Sequence, residues 1–228
     1  MNAPIRVCGV CGAPARPPFR APQPEIAPDL DMRPGEPARS TLADWIHTCR
    51  RCTAAAPDLA ALPAAARDVV ESPAYRALTT EGLEETLPFR RWAMLCHAEG
   101  DRAAEAEALL QAAWAADDAA AMSDAARLRM EVVRLWADPS EEETALRQLD
   151  AMRRAGAFEP AAARATALGR RDLSETARSI LRFQQARIAA RDTGRHLISS
   201  ALPPPAHAPH VSHGKRASTG FWRRLFRR

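Results

Sequence analysis

Two pairs of cysteines constrain this chain more than any other feature of its sequence. The first pair lies in Cys8-Gly9-Val10-Cys11 and the second in Cys49-Arg50-Arg51-Cys52, and together they hold four of the five cysteines. A C-x2-C turn places two thiolates on one side of a tight loop, so two such turns supply a tetrahedral zinc site. The spacing predicts a structural Zn²⁺ bound by Cys8, Cys11, Cys49 and Cys52, with two unrelated redox or accidental pairs as the alternative.

The segment between the cysteine pairs is long and rich in proline. It spans 37 residues, whereas a compact site has about 15–20. Proline lacks an N–H and has a fixed φ, so it prevents helices and interrupts strand pairing. We therefore predict an extended surface loop, which we call the proline-rich insert (residues 12–48). Its eight prolines are Pro14, Pro17, Pro18, Pro22, Pro24, Pro28, Pro34 and Pro37.

Short strands are predicted to lead into each cysteine pair, at 5–7 and 45–48. Two side chains in the second of these strands have their own interpretations. His47 lies two residues before Cys49 and is an alternative metal ligand, although a fourth cysteine makes it unnecessary. Trp45 is interpreted as a packing residue over the site rather than a binding residue.

From about residue 60 the pattern becomes helical. Alanine, the strongest helix former, is abundant, whereas only 5% of residues are aromatic. Gly100 and Gly156 mark turns that are 56 residues apart, not the 34 of a strict tetratricopeptide array. We predict irregular, stacked helical hairpins, with an ordinary α-helical bundle as the alternative. One predicted helical face carries Ala106, Leu109, Leu110, Ala113 and Trp114.

The predicted fold is therefore mainly α, in three segments. Residues 1–58 form a small zinc-ribbon-like β module with the proline-rich insert, and residues 59–198 form a tetratricopeptide-like helical-hairpin domain. Residues 199–228 are a disordered linker and a basic amphipathic tail. We expect the first two segments to have separate cores. Cys96 shares an apolar helical face with Trp92 and Leu95, so we expect a buried thiol there.

These features together resemble an uncharacterised bacterial family that begins with a zinc-ribbon-like double C-x2-C and continues into tetratricopeptide-like helices. The resemblance rests on the two cysteine pairs, on Trp45-Ile46, on residues 29–34 (Asp-Leu-Asp-Met-Arg-Pro) and on residues 72–75 (Ser-Pro-Ala-Tyr). It covers roughly residues 5–200 and implies a fold and metal ligands but no activity. The chain departs from the family where the second pair usually reads C-P-x-C-G, because here Cys52 is followed by Thr53.

The last eight residues separate into two faces when placed on a helix of 100° per residue. The segment is short, so it is expected to fray in water. Basic amphipathic segments lie in membrane interfaces, with arginines toward anionic headgroups. We predict weak binding to anionic membranes, with a disordered basic end and a groove on a partner protein as alternatives. The apolar face carries Phe221, Trp222, Leu225 and Phe226, and the cationic face carries Arg223, Arg224, Arg227 and Arg228.

The rest of the chain shows no charge excess and no catalytic motif. Six of the 32 basic residues lie in positions 215–228, so the other 26 face 28 acidic residues. There is no phosphate-binding glycine loop, H-E-x-x-H or G-x-S-x-G sequence. A four-thiolate zinc has no open position for water, so we expect a structural ion and no enzyme.

The leading hypothesis is a zinc-binding scaffold for an unknown protein partner. The alternative is a zinc-ribbon nucleic-acid binder that uses Arg50, Arg51 and the basic tail. The first residues contain no long apolar stretch, and paired C-x2-C motifs in a non-secreted chain favour metal over disulfides. We therefore expect a cytoplasmic protein that associates peripherally with membranes through its tail.

Overall fold

The computed structural model of the protein describes residues 6–202, and within that range the chain is mainly helical with one small antiparallel sheet. This confirms the predicted fold class. Strands β1 (His47–Thr48) and β2 (Ala55–Ala56) pair on either side of the second cysteine pair. Helices in the described range are α1 (Ala66–Glu71), α2 (Pro73–Ala77), α3 (Leu87–Ala98), α4 (Arg102–Asp118), α5 (Met122–Leu135), α6 (Glu142–Arg154), α7 (Phe158–Leu168) and α8 (Glu175–Ala189).

Local sequence signals explain where several helices begin and end. The Ser72 hydroxyl accepts a hydrogen bond from the Tyr75 N–H, and Pro73 occupies the first turn of α2, where its missing N–H costs nothing. Asp101 caps α4 in the same way. Gly100 and Gly156 both have φ of +75°, a left-handed conformation that favours glycine and ends α3 and α6.

Consecutive helices pack against one another from α3 to α8, and α6 also contacts α8. One apolar cluster lies between α3, α4 and α5 and includes Leu110, Trp114 and Leu128. A second lies between α6, α7 and α8 and includes Leu149 and Leu181. This arrangement agrees with stacked hairpins, whereas tetratricopeptide-like repetition stays a prediction. No helix within residues 6–202 is long and apolar enough to span a membrane.

The middle of the proline-rich insert is buried, so its prediction as a surface loop is wrong there. Asp29, Leu30, Asp31 and Arg33 are each at most 2% exposed. Met32 has a φ of +69°, and its N–H donates to the Asp29 carbonyl at 2.9 Å, which closes a tight turn. Proline content excludes helix but does not determine burial, because side chains on distant helices satisfy the polar groups of this turn.

The insert also pairs with the end of the described chain. The Leu30 N–H donates to the His196 carbonyl at 3.0 Å, and the Ile198 N–H donates to the Pro28 carbonyl at 2.9 Å. These bonds hold the chain after α8 against the insert. The contact therefore joins residues 28–30 of the insert to residues 196–198, near the end of the described range.

The expectation of separate cores is also wrong. A third apolar cluster contains Cys8 and Cys49 together with Val70 of α1, Tyr75 of α2 and Leu95 of α3. The first cluster likewise includes Leu42, Ile46 and Ala55 from the N-terminal segment. The apolar residues beside the cysteines are too few to bury one another, so they pack on the helices instead.

Candidate metal centre

Both cysteine pairs fold into the same backbone turn. In the first knuckle (residues 8–13) the Cys8 N–H donates to the Ala13 carbonyl at 2.8 Å, and the Gly12 N–H donates to the Cys8 carbonyl at 2.8 Å. In the second knuckle (residues 49–54) the corresponding bonds are 2.8 Å from Cys49 to Ala54 and 2.9 Å from Thr53 to Cys49. This equivalence follows from the shared C-x2-C spacing.

The knuckles place the four thiols together. The Sγ atoms of Cys8, Cys11, Cys49 and Cys52 all lie within 4.8 Å of one another. Cys8 and Cys52 are 3.8 Å apart at sulfur, and Cys11 and Cys49 are 3.6 Å apart. Tetrahedral coordination with Zn–S bonds of about 2.3 Å requires sulfur atoms about 3.8 Å apart. All four are free thiols, so this donor set fits a zinc ion.

Backbone N–H groups point at the buried sulfur of each knuckle. The N–H groups of Val10 and Cys11 donate to Cys8, and burial nevertheless raises the pKa of the Cys8 thiol. Burial opposes ionisation of Cys49 as well, but N–H groups of Cys52 and Arg51 lower the pKa of that thiol to about 7. Such donors stabilise thiolates, and a bound zinc ion would deprotonate the coordinating thiols.

The first knuckle is fixed directly to the helical body. The Gly9 N–H donates to the Leu59 carbonyl at 2.9 Å. A Cβ atom on Gly9 would lie 1.9 Å from the Leu62 carbonyl oxygen, so only glycine allows this approach. The Arg67 guanidinium of α1 donates to the Val10 carbonyl of the same knuckle.

The second knuckle is held by α2. The Tyr75 side chain is fully buried, and its hydroxyl donates to the Thr53 carbonyl at 3.1 Å. Thr53 itself has a φ of +61°, in the left-handed region that favours glycine. The second knuckle therefore has the same turn as the first, but its Thr53 backbone is strained in that conformation.

A buried ionic network, which the sequence alone did not indicate, holds the insert to the helices. Asp31 is fully buried and accepts hydrogen bonds from the Trp114 indole N–H at 2.8 Å and from Arg154 at 3.0 Å. Arg154 and Arg129 both also donate to Asp117, at 2.7 and 2.5 Å. The two aspartates and the arginine within residues 29–34 are the part of the sequence that contributes to this network.

The positive charges in this network keep Asp31 ionised. Burial opposes its ionisation, but Arg154 and Arg129 outweigh that effect and lower the pKa of Asp31 to about 2. Arg154 is correspondingly held charged, because Asp31 and Asp117 raise its pKa against the effect of burial. The arrangement is therefore a permanent ionic anchor at neutral pH.

The other residues singled out from the sequence lie elsewhere. His47 is outside the group of four thiols. Trp45 packs edge-on against Trp114, with ring centroids 6.4 Å apart, and so lies on the helical core rather than over the thiols. Cys96 is buried, as predicted. The amphipathic tail, residues 221–228, lies outside the described residues.

Comparison with known proteins finds no family model, no curated protein and no solved structure that matches the chain. The resemblance to an uncharacterised bacterial family therefore stays a prediction. The four clustered cysteines and the helical body are the parts of that resemblance that the structure confirms.

Proposed function

We propose that the protein is a non-catalytic scaffold in which a structural Zn²⁺ holds the N-terminal segment against the helices, leaving the outer surface to bind another protein. The single observation that carries the proposal is the group of four Sγ atoms within 4.8 Å of one another. Four thiolates fill a tetrahedral zinc and leave no position for substrate or water.

Exposed apolar side chains support binding to a protein. Ile26 of the insert is 49% exposed and Met122 at the start of α5 is 60% exposed. A photo-reactive residue at either position, in the full chain, should form a cross-link to a distinct protein in cells. Asp172 is exposed and polar and serves as the control position. If neither Ile26 nor Met122 gives more cross-linked protein than Asp172, the scaffold proposal fails.

The tail supports an additional role at membranes. If the tail forms a helix, its sequence places the arginines and the apolar residues on opposite faces, and positions 203–205 before it are three prolines. Co-sedimentation with anionic and neutral vesicles tests this role by comparing the full chain with a version that ends at Gly220. We expect the full chain alone to sediment with anionic vesicles; equal sedimentation of both versions would refute the tether.

The alternative function is binding of nucleic acid. Arg50 and Arg51 are both exposed on the tip of the second knuckle, which favours this alternative. Phosphate contacts release counterions, so affinity would fall steeply as salt is raised. Double substitution of Arg50→Gln and Arg51→Gln should then reduce both affinity and salt dependence. Unchanged binding by this variant would exclude the knuckle as the nucleic-acid interface.

A further inference from the structure

A cavity of about 410 Å³ opens beside the two more exposed cysteines of the metal centre. Its wall comes from both knuckles, from α1 and α2, and from the start of α3. Volumes of about 300–1,000 Å³ are typical of small-ligand sites. The charged residues that line it are Arg51, Arg67, Arg76, Arg91 and Glu71.

The four arginines of this cavity lack acidic partners. Across residues 6–202, the ion pairs include none formed by Arg51, Arg67, Arg76 or Arg91. Glu71 is in none of them either. Arg51, Arg67 and Arg76 are exposed, whereas Arg91 is buried. Other buried arginines, such as Arg129 and Arg153, are paired with aspartate, so Arg91 is an exception among them.

Arg91 is the most informative of the four. It is only 7% exposed and lies over the ring of Tyr75, with its guanidinium carbon 5.5 Å from the ring centroid. One of its terminal nitrogens donates to the Thr79 hydroxyl at 2.8 Å. Its Nε is buried without a hydrogen-bond partner among the described residues, as are those of Arg129 and Arg154, but unlike those two it forms no ion pair with a carboxylate there. Burying a cation that has no anionic partner costs roughly several kcal/mol, unless a bound anion pairs with it.

The metal centre does not account for all of this charge. A zinc ion with four thiolates carries two negative charges, and Glu71 carries one, against four guanidinium groups. Arg67 donates to the Val10 carbonyl and Arg51 donates to the Cys11 carbonyl at 3.5 Å, so both are already bonded to the first knuckle. Arg76 and Arg91 make no hydrogen bond to either knuckle, and the count leaves one positive charge without a counter-charge.

We propose that this cavity binds the phosphoryl group of a small anionic ligand, with Arg76 and Arg91 as its principal donors and the exposed residues Arg51 and Arg67 as further lining. A guanidinium presents parallel N–H donors that match two phosphate oxygens. A phosphoryl group offers three oxygens to these guanidinium donors, whereas a carboxylate offers two and satisfies fewer of them.

Isothermal titration of the zinc-loaded full chain tests this site. The probes are orthophosphate, pyrophosphate and ATP, with acetate as the singly charged carboxylate. We expect the phosphate probes to bind and acetate to fail. Arg76→Gln should weaken binding about tenfold, the loss of one charge-assisted hydrogen bond. Arg170 is exposed and distant in sequence from the cavity, so Arg170→Gln is the matched control and should bind like the wild-type chain.

The outcomes separate the sources of the phosphoryl group. Binding of all three phosphates indicates a free phosphate or any phosphate ester, and binding of ATP alone indicates a nucleotide. The proposal is overturned if no phosphate binds at millimolar concentration, if acetate binds equally well, or if Arg76→Gln binds like Arg170→Gln. Because Arg91 is buried, Arg91→Gln is interpreted only alongside its circular dichroism, and exposed Arg76 decides the test.

Discussion

At the scale of single residues, the two knuckles have different residues at the position that follows their second cysteine, a glycine in the first and a threonine in the second. Gly12 has a φ of +71° and Thr53 a φ of +61°, so both occupy the left-handed region. A β-branched residue is strained there by about 1–2 kcal/mol, whereas glycine is not. The second knuckle therefore carries a backbone strain that the first knuckle does not have.

This difference predicts opposite effects for two matched substitutions. Thr53→Gly should raise the free energy of unfolding by about 0.5–1 kcal/mol, because relief of strain exceeds the added entropy of the unfolded glycine. Gly12→Thr should lower it by about 1–2 kcal/mol, since a Cβ on Gly12 meets nothing within 4 Å and only the backbone is affected. Urea unfolding measures both, and a destabilised Thr53→Gly would contradict the account.

At the scale of elements, the turn at residues 29–33 connects the N-terminal segment to helices α4, α5 and α6. Its central carboxylate, Asp31, lies beside Arg129 and Arg154, at 3.7 and 3.0 Å. Removing one partner of a buried pair leaves an uncompensated charge, so breaking this pair should destabilise the protein more than breaking an exposed ion pair on the helices.

Substitution of the central carboxylate tests that contribution. Asp31→Asn should lower the free energy of unfolding by about 3–5 kcal/mol at pH 7, whereas Asp172→Asn, in an exposed pair with Arg178, should change it by less than about 0.5 kcal/mol. The pKa of Asp31 is lowered to about 2, below the unfolded value of about 3.9. Its stabilisation is therefore complete above pH 4 and is lost as pH falls through 2.

The difference between wild type and Asp31→Asn should shrink over that same pH interval when urea unfolding is repeated in acid. A difference that stays constant down to pH 2 would mean that the carboxylate charge is not what stabilises the turn.

Elements with local signals were predictable, whereas the role of the insert was not. The spacing of Cys8 and Cys11 and the glycine at position 100 act within a few residues, so the knuckles and the end of α3 follow from sequence. The partners of Asp31 are about a hundred positions away, at Arg129 and Arg154. Nothing in a proline-rich stretch indicates which distant arginines will satisfy an aspartate, so the burial of this turn required the structure.

At the scale of the whole molecule, the knuckles and the helices share apolar clusters. Cys8 and Val10 pack with Tyr75 and Leu95, so the cysteine turns form one side of the cluster between α1, α2 and α3. Loss of the metal should therefore loosen the helices as well as the knuckles, which differs from the independent unfolding expected of separate cores.

Removal of the metal tests this coupling. A ligand present at about 1,000 times its Kd stabilises by about 4 kcal/mol, so Cys8→Ser or chelation should lower the Tm of the helical circular dichroism signal by about 10 °C. Cys96 lies outside the metal centre, so Cys96→Ala should keep its response to chelator. A helical transition that does not move after metal is lost would show that the cores are energetically separate.

The central claim is that four cysteines bind one structural zinc, and X-ray absorption at the zinc edge tests it most directly. Protein purified without added metal should contain about one zinc per chain, with four sulfur neighbours at about 2.3 Å and no nitrogen or oxygen ligand. Substituting any one of Cys8, Cys11, Cys49 or Cys52 by serine should change that coordination. A folded protein without zinc, in which all four thiols react freely, would contradict the account.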